Sequence, residues 1–219
     1  MIDDGLRIGP DGRARCWWPG TDPDYVAYHD REWGHPITDD RRLFEKLSLE
    51  AFQSGLSWLT ILRKRDNFRK AFAGFDPERV ARFGRSDVSR LLGDAGIVRH
   101  RGKIEATIHN AGRALELIAA EGSLAAYVWG FAPATGERPA RLSYEAVRAL
   151  AHTPASRALS GDLRRRGWKF VGPTTVYAFM QAAGLVNDHL DGCAFRAAVE
   201  EARLRNVGLD PSARGPVGP

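Results

Sequence analysis

The chain has 219 residues and a mass of 24.2 kDa, which suits one domain or two small lobes that share an interface. Hydrophobic residues make up 43% of the sequence, which is enough for a sizeable core and excludes general disorder. The formal net charge of +5 and the pI of about 9.5 fit either a polyanionic partner or an ordinary basic protein.

Three features predict a cytoplasmic protein with no membrane partner. No apolar run approaches the length of a membrane span. The start of the chain carries no basic region followed by an apolar stretch, as a secretory signal would. Cysteine occurs only as Cys16 and Cys193, which excludes a disulfide scaffold.

Apolar residues recur at helical spacing through most of the chain and predict an all-α fold of nine or ten helices. No segment alternates apolar and polar residues long enough to predict a strand. The predicted helices cover a stretch between 16 and 29, then 41–56, 57–71, a short helix from 76, 86–92, 101–121, 143–149, 154–166 and 173–183.

The two chain ends are rich in Gly, Pro or charge, which predicts disorder over 1–12 and 208–219. Between them, residues 14–200 predict a single domain. Its predicted parts are one lobe over about 37–120, a second lobe over about 140–195, and an N-terminal segment, 14–36, that joins the second lobe.

The two cysteines and two of the histidines form a candidate zinc site. His189 and Cys193 are four residues apart, so one helical turn would place both on one face. Cys16 and His29 supply a second pair, and thiolate and imidazole are ligands that zinc prefers. Two inert buried cysteines and two core histidines are the alternative.

Aromatic and acidic residues cluster near the N-terminus, between Trp17 and Trp33. These rings could form core, or they could line a pocket for a flat or cationic ring. Glu50 lies on an apolar helix, where a carboxylate needs a partner or a ligand. The alternative is a surface pair with Lys46.

A Gly-rich segment, residues 163–175, joins two predicted helices and carries Arg164, Arg165, Arg166 and Lys169. Exposed N–H groups at the start of the second helix can bind a phosphate, and the basic residues attract a nucleic-acid backbone. A second basic cluster, residues 99–103, includes Lys103. The two clusters together favour DNA binding over a solvated basic surface.

Taken together, these residues resemble the type I 3-methyladenine DNA glycosylase family, over about 14–196. The motifs that carry the resemblance are Cys16-Trp17-Trp18, Tyr28-His29-Asp30, Leu49-Glu50, Gln53-Ser54-Gly55-Leu56-Ser57-Trp58, Asp94-Ala95-Gly96-Ile97, Arg99-His100-Arg101-Gly102-Lys103-Ile104, Phe170-Val171-Gly172 and Gly184-Leu185-Val186-Asn187-Asp188-His189.

This resemblance implies a two-lobed helix-hairpin-helix fold in which one structural Zn²⁺, bound by Cys16, His29, His189 and Cys193, joins the N- and C-terminal segments. It also implies roles for the site residues. Glu50 would read the exocyclic amine of the base and offset its charge, as the catalytic residue, while Tyr28 and Trp58 stack on the base beside Trp18. The residues implied to contact DNA are Gly55 and Leu56, which form a wedge, and Gly167, Lys169, Gly172 and Thr174 of the hairpin.

The implied activity is flipping of 3-methyladenine out of double-stranded, alkylated DNA and hydrolysis of its glycosidic bond. The enzyme would act as a monomer and leave an abasic site without cutting the strand. The wider superfamily carries a catalytic aspartate where Asn187 stands here, and Lys169 and Phe170 replace its hairpin Pro-Gly. A non-catalytic DNA-binding module and a zinc hydrolase of small molecules are the competing classes, although four protein ligands leave no open metal position for the second.

Overall fold

The computed structural model describes residues 4–134, 137–139 and 141–207, so the predicted disorder of 1–3 and 208–219 lies outside the described residues. The described chain is mostly helical, as predicted. Its elements are β1 (Leu6–Ile8), β2 (Ala14–Cys16), α1 (Pro23–Arg31), α2 (Asp40–Gln53), α3 (Trp58–Ala71), a 3₁₀ helix (Ala73–Phe75), α4 (Pro77–Val80), α5 (Arg85–Gly93), α6 (Arg101–Glu121), α7 (Leu124–Trp129), α8 (Tyr144–Ala149), α9 (Pro154–Arg165), α10 (Pro173–Ala182) and α11 (Arg196–Val207).

The N-terminal segment corrects two predictions, that the fold is purely helical and that residues 4–12 are disordered. Strands β1 and β2 pair in antiparallel register, with Leu6 opposite Cys16 and Ile8 opposite Ala14. Each strand has only three residues, too few for a visible alternation. The hairpin is ordered because Leu6 packs against the buried cluster around Cys16 and Cys193. Helices α7 and α11 were not predicted either.

Helix α2 lies at the centre of the fold, where it packs against α3, α6, α7 and α10. Phe44 and Phe52 of α2 are fully buried in the same hydrophobic core as Val176 and Met180 of α10. The two predicted lobes therefore share one continuous core within the described residues.

Backbone hydrogen bonds join the N-terminal segment to the end of α10. Gly34 N donates to Gln181 O at 3.1 Å, and Ile37 N donates to Ala183 O at 3.0 Å. Gly184 has φ +77°, and a Cβ there would lie 2.6 Å from the carbonyl carbon of His35. Only glycine permits so close an approach between the two segments.

Side-chain caps fix where the helices around the site begin. Asp22 accepts from the backbone at the start of α1, Asp39 caps α2, and Ser57 caps α3. As a result α1 carries Tyr28 and His29 towards the site, and α3 begins with Trp58.

Among the described residues, every helix is too short or too polar to span a membrane.

Candidate functional site

Four buried side chains that suit a metal ion converge between β2, α1 and the segment before α11. One ligand atom from each of Cys16, His29, His189 and Cys193 lies within 4.8 Å of all the others. Cys193 Sγ lies 3.7 Å from His29 Nε2 and 3.5 Å from His189 Nδ1, and Cys16 Sγ lies 3.9 Å from His189 Nδ1. Ligands of a tetrahedral zinc ion lie roughly 3.3–3.8 Å apart, so the group fits a closed four-coordinate ion.

Hydrogen bonds hold both imidazoles in the orientation that this fit needs. His29 Nδ1 lies 2.8 Å from Asp30 Oδ1, and Arg15 Nε donates to both Asp30 oxygens at 3.0 Å. His189 Nε2 lies 3.1 Å from Trp33 O. Each ring can donate its second nitrogen's proton to an oxygen, which leaves the other nitrogen free to bind a metal.

The backbone around His189 and Cys193 differs from the predicted helical turn. The residues between them form an irregular turn in which Cys193 N donates to Leu190 O at 3.0 Å. Helix α10 has already ended at Ala182, and Gly192 has φ +86°, a left-handed conformation that no α-helix contains. The two side chains still converge, because a tight turn also brings residues four apart together.

A cavity of about 270 Å³ opens beside the metal group, and Trp18 and Trp33 lie between the two. The ring centroid of Trp18 lies 5.2 Å from that of His29, on the metal side. The residues that line the cavity are Trp17, Trp18, Tyr25, Tyr28, Trp33, Glu50, Gln53, Trp58, Val147, Arg148, Ala178 and Gln181. The predicted base-binding residues and Glu50 are therefore brought together in one place.

Two indole groups in this cavity lack hydrogen-bond partners. The Nε1 atoms of Trp18 and Trp58 are buried and have no acceptor among the described residues. A buried N–H without a partner costs free energy, so both groups are donors available to a bound ligand. The Tyr28 and Trp58 ring centroids lie 5.4 Å apart, and together these rings offer an aromatic surface.

Glu50 supplies a carboxylate to the same cavity. It is 5% exposed and forms no hydrogen bond or ion pair with the described residues. Burial raises the pKa of its carboxyl group, and the charge of Lys46 opposes that rise. Burial, with the charge of Glu50, also raises the pKa of Tyr28 well above its usual value and that of Tyr25 to about 12, so both phenols are neutral at physiological pH.

The turn between α2 and α3 projects Leu56, whose side chain is 41% exposed although it is apolar. Gly55 supplies a φ of +84° at this turn. Lys103 of α6 holds this turn in place, because its Nζ donates to Phe52 O at 2.9 Å and to Ser54 O at 2.6 Å. Lys103 was predicted to belong to a basic cluster that favours DNA binding, but its side chain is buried and caps the end of α2.

The predicted hairpin is the segment 166–172 between α9 and α10, and Asn110 of α6 anchors it. Asn110 Nδ2 donates to Lys169 O, and Lys169 N donates to Asn110 Oδ1, both at 2.9 Å. Phe170 has φ +56° and is 42% exposed. It occupies the left-handed conformation that a glycine adopts easily, and it stands where the hairpin pattern given in the sequence analysis would place a glycine. Its ring lies 6.4 Å from that of His100 at the start of α6.

The predicted basic residues of the hairpin differ in their freedom to contact a ligand. Arg165 and Arg166 pair with Asp162, and Arg166 also pairs with Glu121. Lys169 is exposed, as is Arg164. Gly167 and Gly172 flank the turn, and Thr174 is exposed in the first turn of α10.

Asn187 does not face the cavity. Its Nδ2 donates to Arg196 O and to Glu200 Oε2, both at 3.0 Å, which ties the metal segment to α11. The buried Asp188 accepts from Tyr177 and Gln181 and pairs with Arg138. Of these groups only Gln181 lines the cavity, so neither Asn187 nor Asp188 supplies a polar group to it.

Several residues of the site escape sequence patterns. The spacing of Lys46 and Glu50 predicts no more than a surface pair, yet Lys46 is 6% exposed. Gln181 and Arg148 belong to helices distant in sequence from the aromatic cluster, and only the fold brings them to the cavity. For Phe170 the sequence does contain a signal, because a phenylalanine replaces the glycine expected in the hairpin.

Comparisons with known proteins agree with this arrangement. The sequence model of the family described as methyladenine glycosylase matches residues 18–197. DNA-3-methyladenine glycosylase 1 of Escherichia coli (strain K12) is 49% identical over 180 residues, which cover 82% of this chain and 95% of that protein. A crystal structure of a 3-methyladenine DNA glycosylase I superposes with a TM-score of 0.77 at 50% identity, over 82% of this chain and 98% of the other.

A second solved structure, from Staphylococcus aureus, concerns 3-methyladenine recognition by its 3-methyladenine DNA glycosylase I. It superposes with a TM-score of 0.73 at 40% identity, over 80% of this chain and 92% of the other. Because the family match and these relatives cover most of the chain, the chain belongs to the methyladenine glycosylase family.

Proposed function

We propose that this protein is a DNA repair glycosylase that removes 3-methyladenine from alkylated DNA. The observation that carries the proposal is the cavity in which a buried carboxylate, two unpartnered indole donors and several aromatic rings converge. Such a cavity suits a flat, polar heterocycle held by stacking and hydrogen bonds. Family membership and the relatives' activity supply the identity of that base.

The proposed chemistry uses the intrinsic weakness of the substrate. Methylation at N3 places a positive charge on the base, so the bond between N9 and C1′ breaks with its electron pair retained by a neutral leaving base. Water then adds to C1′ and loses a proton to solvent, which leaves an abasic site. Glu50 would accept hydrogen bonds from the exocyclic amine, while Tyr28 and Trp58 stack on the ring and Trp18 closes the cavity.

The surface around the cavity suits a DNA duplex from which one nucleotide has been flipped out. Leu56 is an exposed apolar side chain on a fixed turn, and such side chains can fill the gap left in a base stack. We assign backbone contacts to Lys169 and to the N–H groups around Gly172 and Thr174 at the start of α10. Gly167 and Gly55 shape the two turns. Helix α6 lies between these turns, since its first residues contact both.

We assign the four-ligand group to one structural zinc ion per chain. The donor set, the spacing and the absence of a free coordination position all favour a structural ion. When bound, the ion would link the segment carrying Trp18 and Tyr28 to the segment after α10. Double-stranded DNA as substrate, a monomeric state and a cytoplasmic location also stay predictions.

Base release from methylated DNA tests the proposal directly. We expect the wild-type protein to free 3-methyladenine, detected by chromatography, and Glu50→Gln and Glu50→Ala to release it at least about 10²-fold more slowly. Glu78→Gln, which alters an exposed carboxylate of α4, is the matched control and should behave as wild type.

Three results would contradict parts of this assignment. Unchanged release by both Glu50 variants would remove Glu50 from the mechanism. Tight binding of methylated DNA with no base released would favour the non-catalytic binding module instead. The lining residues of the described chain include no lysine that could form a Schiff base, so we expect no strand cleavage without heat or alkali. Such cleavage would overturn the monofunctional assignment.

A further inference from the structure

Lys46 is a buried lysine beside the cavity to which the proposed chemistry gives no role. It lies on α2, one turn before Glu50, and is 6% exposed. Its Nζ lies 5.0 Å from the centroid of the Tyr28 ring and 5.2 Å from that of the Trp58 ring. Apart from these ring contacts, its Nζ forms no hydrogen bond or ion pair with the described residues. A buried ammonium group in such a position needs a compensating charge.

The charged groups around Lys46 leave one candidate for that compensating charge. Glu32, at the end of α1, accepts a hydrogen bond from Arg65 Nη2 at 3.0 Å. Glu45 of α2 accepts one from Arg69 Nε at 2.8 Å. These two carboxylates already have arginine partners, both from α3. The remaining carboxylate is Glu50, which has no ion pair among the described residues.

The pKa of Glu50 depends on the charge of Lys46, and the pKa of Lys46 depends on the charge of Glu50. Burial raises the pKa of Glu50, and Lys46 is the cation whose charge opposes that rise. Burial likewise lowers the pKa of Lys46, and the charges of Glu50, Glu32 and Glu45 oppose that fall while Arg65 adds to it. Tyr25 and Tyr28 of α1 also face Glu50 but stay neutral, so they add no charge.

We propose that Lys46 is the counter-ion of Glu50 and a positioning residue of the cavity, where its ammonium group keeps Glu50 available as a carboxylate for the amino group of the base. This inference rests on the proposed role of Glu50 and extends it. Arg148 of α8 is the other charged group that lines the cavity; its Nη1 donates to Tyr144 Oη of the same helix at 3.1 Å, and it forms no ion pair with Glu50.

The direct test is the titration of the Glu50 carboxyl carbon by NMR in the full chain loaded with zinc. Lys46→Met keeps the length and apolar stem of the side chain but removes its charge. We expect the pKa of Glu50 to rise by at least about one unit in Lys46→Met, because the opposing charge is lost. Lys70→Met, which removes the charge of an exposed lysine on α3, should leave that pKa unchanged.

The pH profile of base release tests the functional consequence. Activity that needs the Glu50 carboxylate is present above its pKa and lost as the pH falls through it. The acidic limb of kcat/KM should therefore move to higher pH by at least about one unit in Lys46→Met, with about tenfold less activity per unit below it. Lys46→Arg keeps the charge and should restore the limb towards its wild-type position.

A second background separates this inference from a merely structural role for Lys46. In the Glu50→Gln background the limb assigned to Glu50 is absent, so adding Lys46→Met should leave the pH profile of the remaining activity unchanged. An unchanged Glu50 titration in Lys46→Met, or an equal loss of activity at every pH, would overturn the inference. Both results test only the role of Lys46, and neither bears on whether the wild-type protein releases 3-methyladenine. If the wild-type protein released none, the proposed function would fail, but the NMR titration could still test the pairing of Lys46 with Glu50.

Discussion

The metal group and the cavity both border Trp18, but they differ in whether their buried polar atoms have partners. In the metal group each sulfur and ring nitrogen lies near another ligand or a hydrogen-bond partner such as Asp30 or Trp33 O. In the cavity the indole N–H groups of Trp18 and Trp58 have no partner, and the buried side chains of Glu50 and of Lys46 beside it form no hydrogen bond or ion pair among the described residues. The first arrangement supports stability, and the second stores unsatisfied groups for a ligand.

Loss of a metal ligand should produce the largest effect on this contrast. We expect Cys193→Ser to lower the free energy of unfolding by about 4 kcal/mol or more, because a closed zinc site contributes directly to folding. Thermal unfolding with and without a chelator, together with metal analysis, measures this.

Cys16→Ser should have the same effect, and the double variant should be no worse than either single one, because one lost ligand already opens the site. A chelator that stops base release while the protein stays folded would instead give the metal a chemical role.

At the cavity, removal of the charges of both Lys46 and Glu50 should make the protein more stable than removal of either charge alone. The variant Lys46→Met/Glu50→Gln should gain about 1–3 kcal/mol of unfolding free energy over either single variant, because each single change leaves one buried charge without its partner. Denaturant unfolding at neutral pH measures the difference. Additive effects of the two substitutions would show that the two charges do not compensate each other.

The two regions also differ in how far the sequence predicts them. The aromatic cluster between Trp17 and Trp33 is compatible with either core or a pocket, and the two cysteines and two histidines with either a zinc site or inert core residues. The resemblance to the glycosylase family is what selects the pocket and the four ligands. Lys46 escapes prediction because α2 is surrounded by other elements, so a helical stripe no longer separates a buried face from an exposed one.

Tertiary contacts account for the other differences between sequence and structure. Lys103 reads as part of a basic surface, and only the position of α2 above α6 turns it into a cap. The β1–β2 hairpin precedes residues 18–197, the part that matches the family, and its order depends on packing against the metal group. Short elements stabilised by distant partners leave little trace in local sequence patterns.

That hairpin provides a smaller test, through Arg15. Its side chain is held by Asp11 and Asp30, and Asp30 orients His29. We expect Arg15→Met to weaken zinc affinity about 10- to 100-fold, as loss of a group that orients a ligand usually does. Competition with a chromophoric chelator measures this. Arg13→Met, which changes an exposed arginine of the same hairpin, should bind zinc as the wild type does.

The smallest effect concerns the surface beside the cavity, at Leu56. Leu56→Ala removes an exposed apolar side chain, so the free energy of unfolding should change by no more than about 0.5 kcal/mol. We expect base release from methylated duplex to fall about tenfold, because the flipped-out state loses the side chain that fills its gap. Single-stranded methylated DNA has no stack to fill, and its turnover should change little.

Leu204→Ala is the matched control, since Leu204 is 48% exposed on α11. It should leave turnover of both substrates unchanged. An equal loss of turnover by Leu56→Ala on duplex and single strand would show that Leu56 supports the cavity itself. The turn that carries Leu56 would then be part of the cavity wall and not of the DNA-facing surface. Like the rest of the cavity, it would be completed by a bound ligand, in contrast to the rigid metal group.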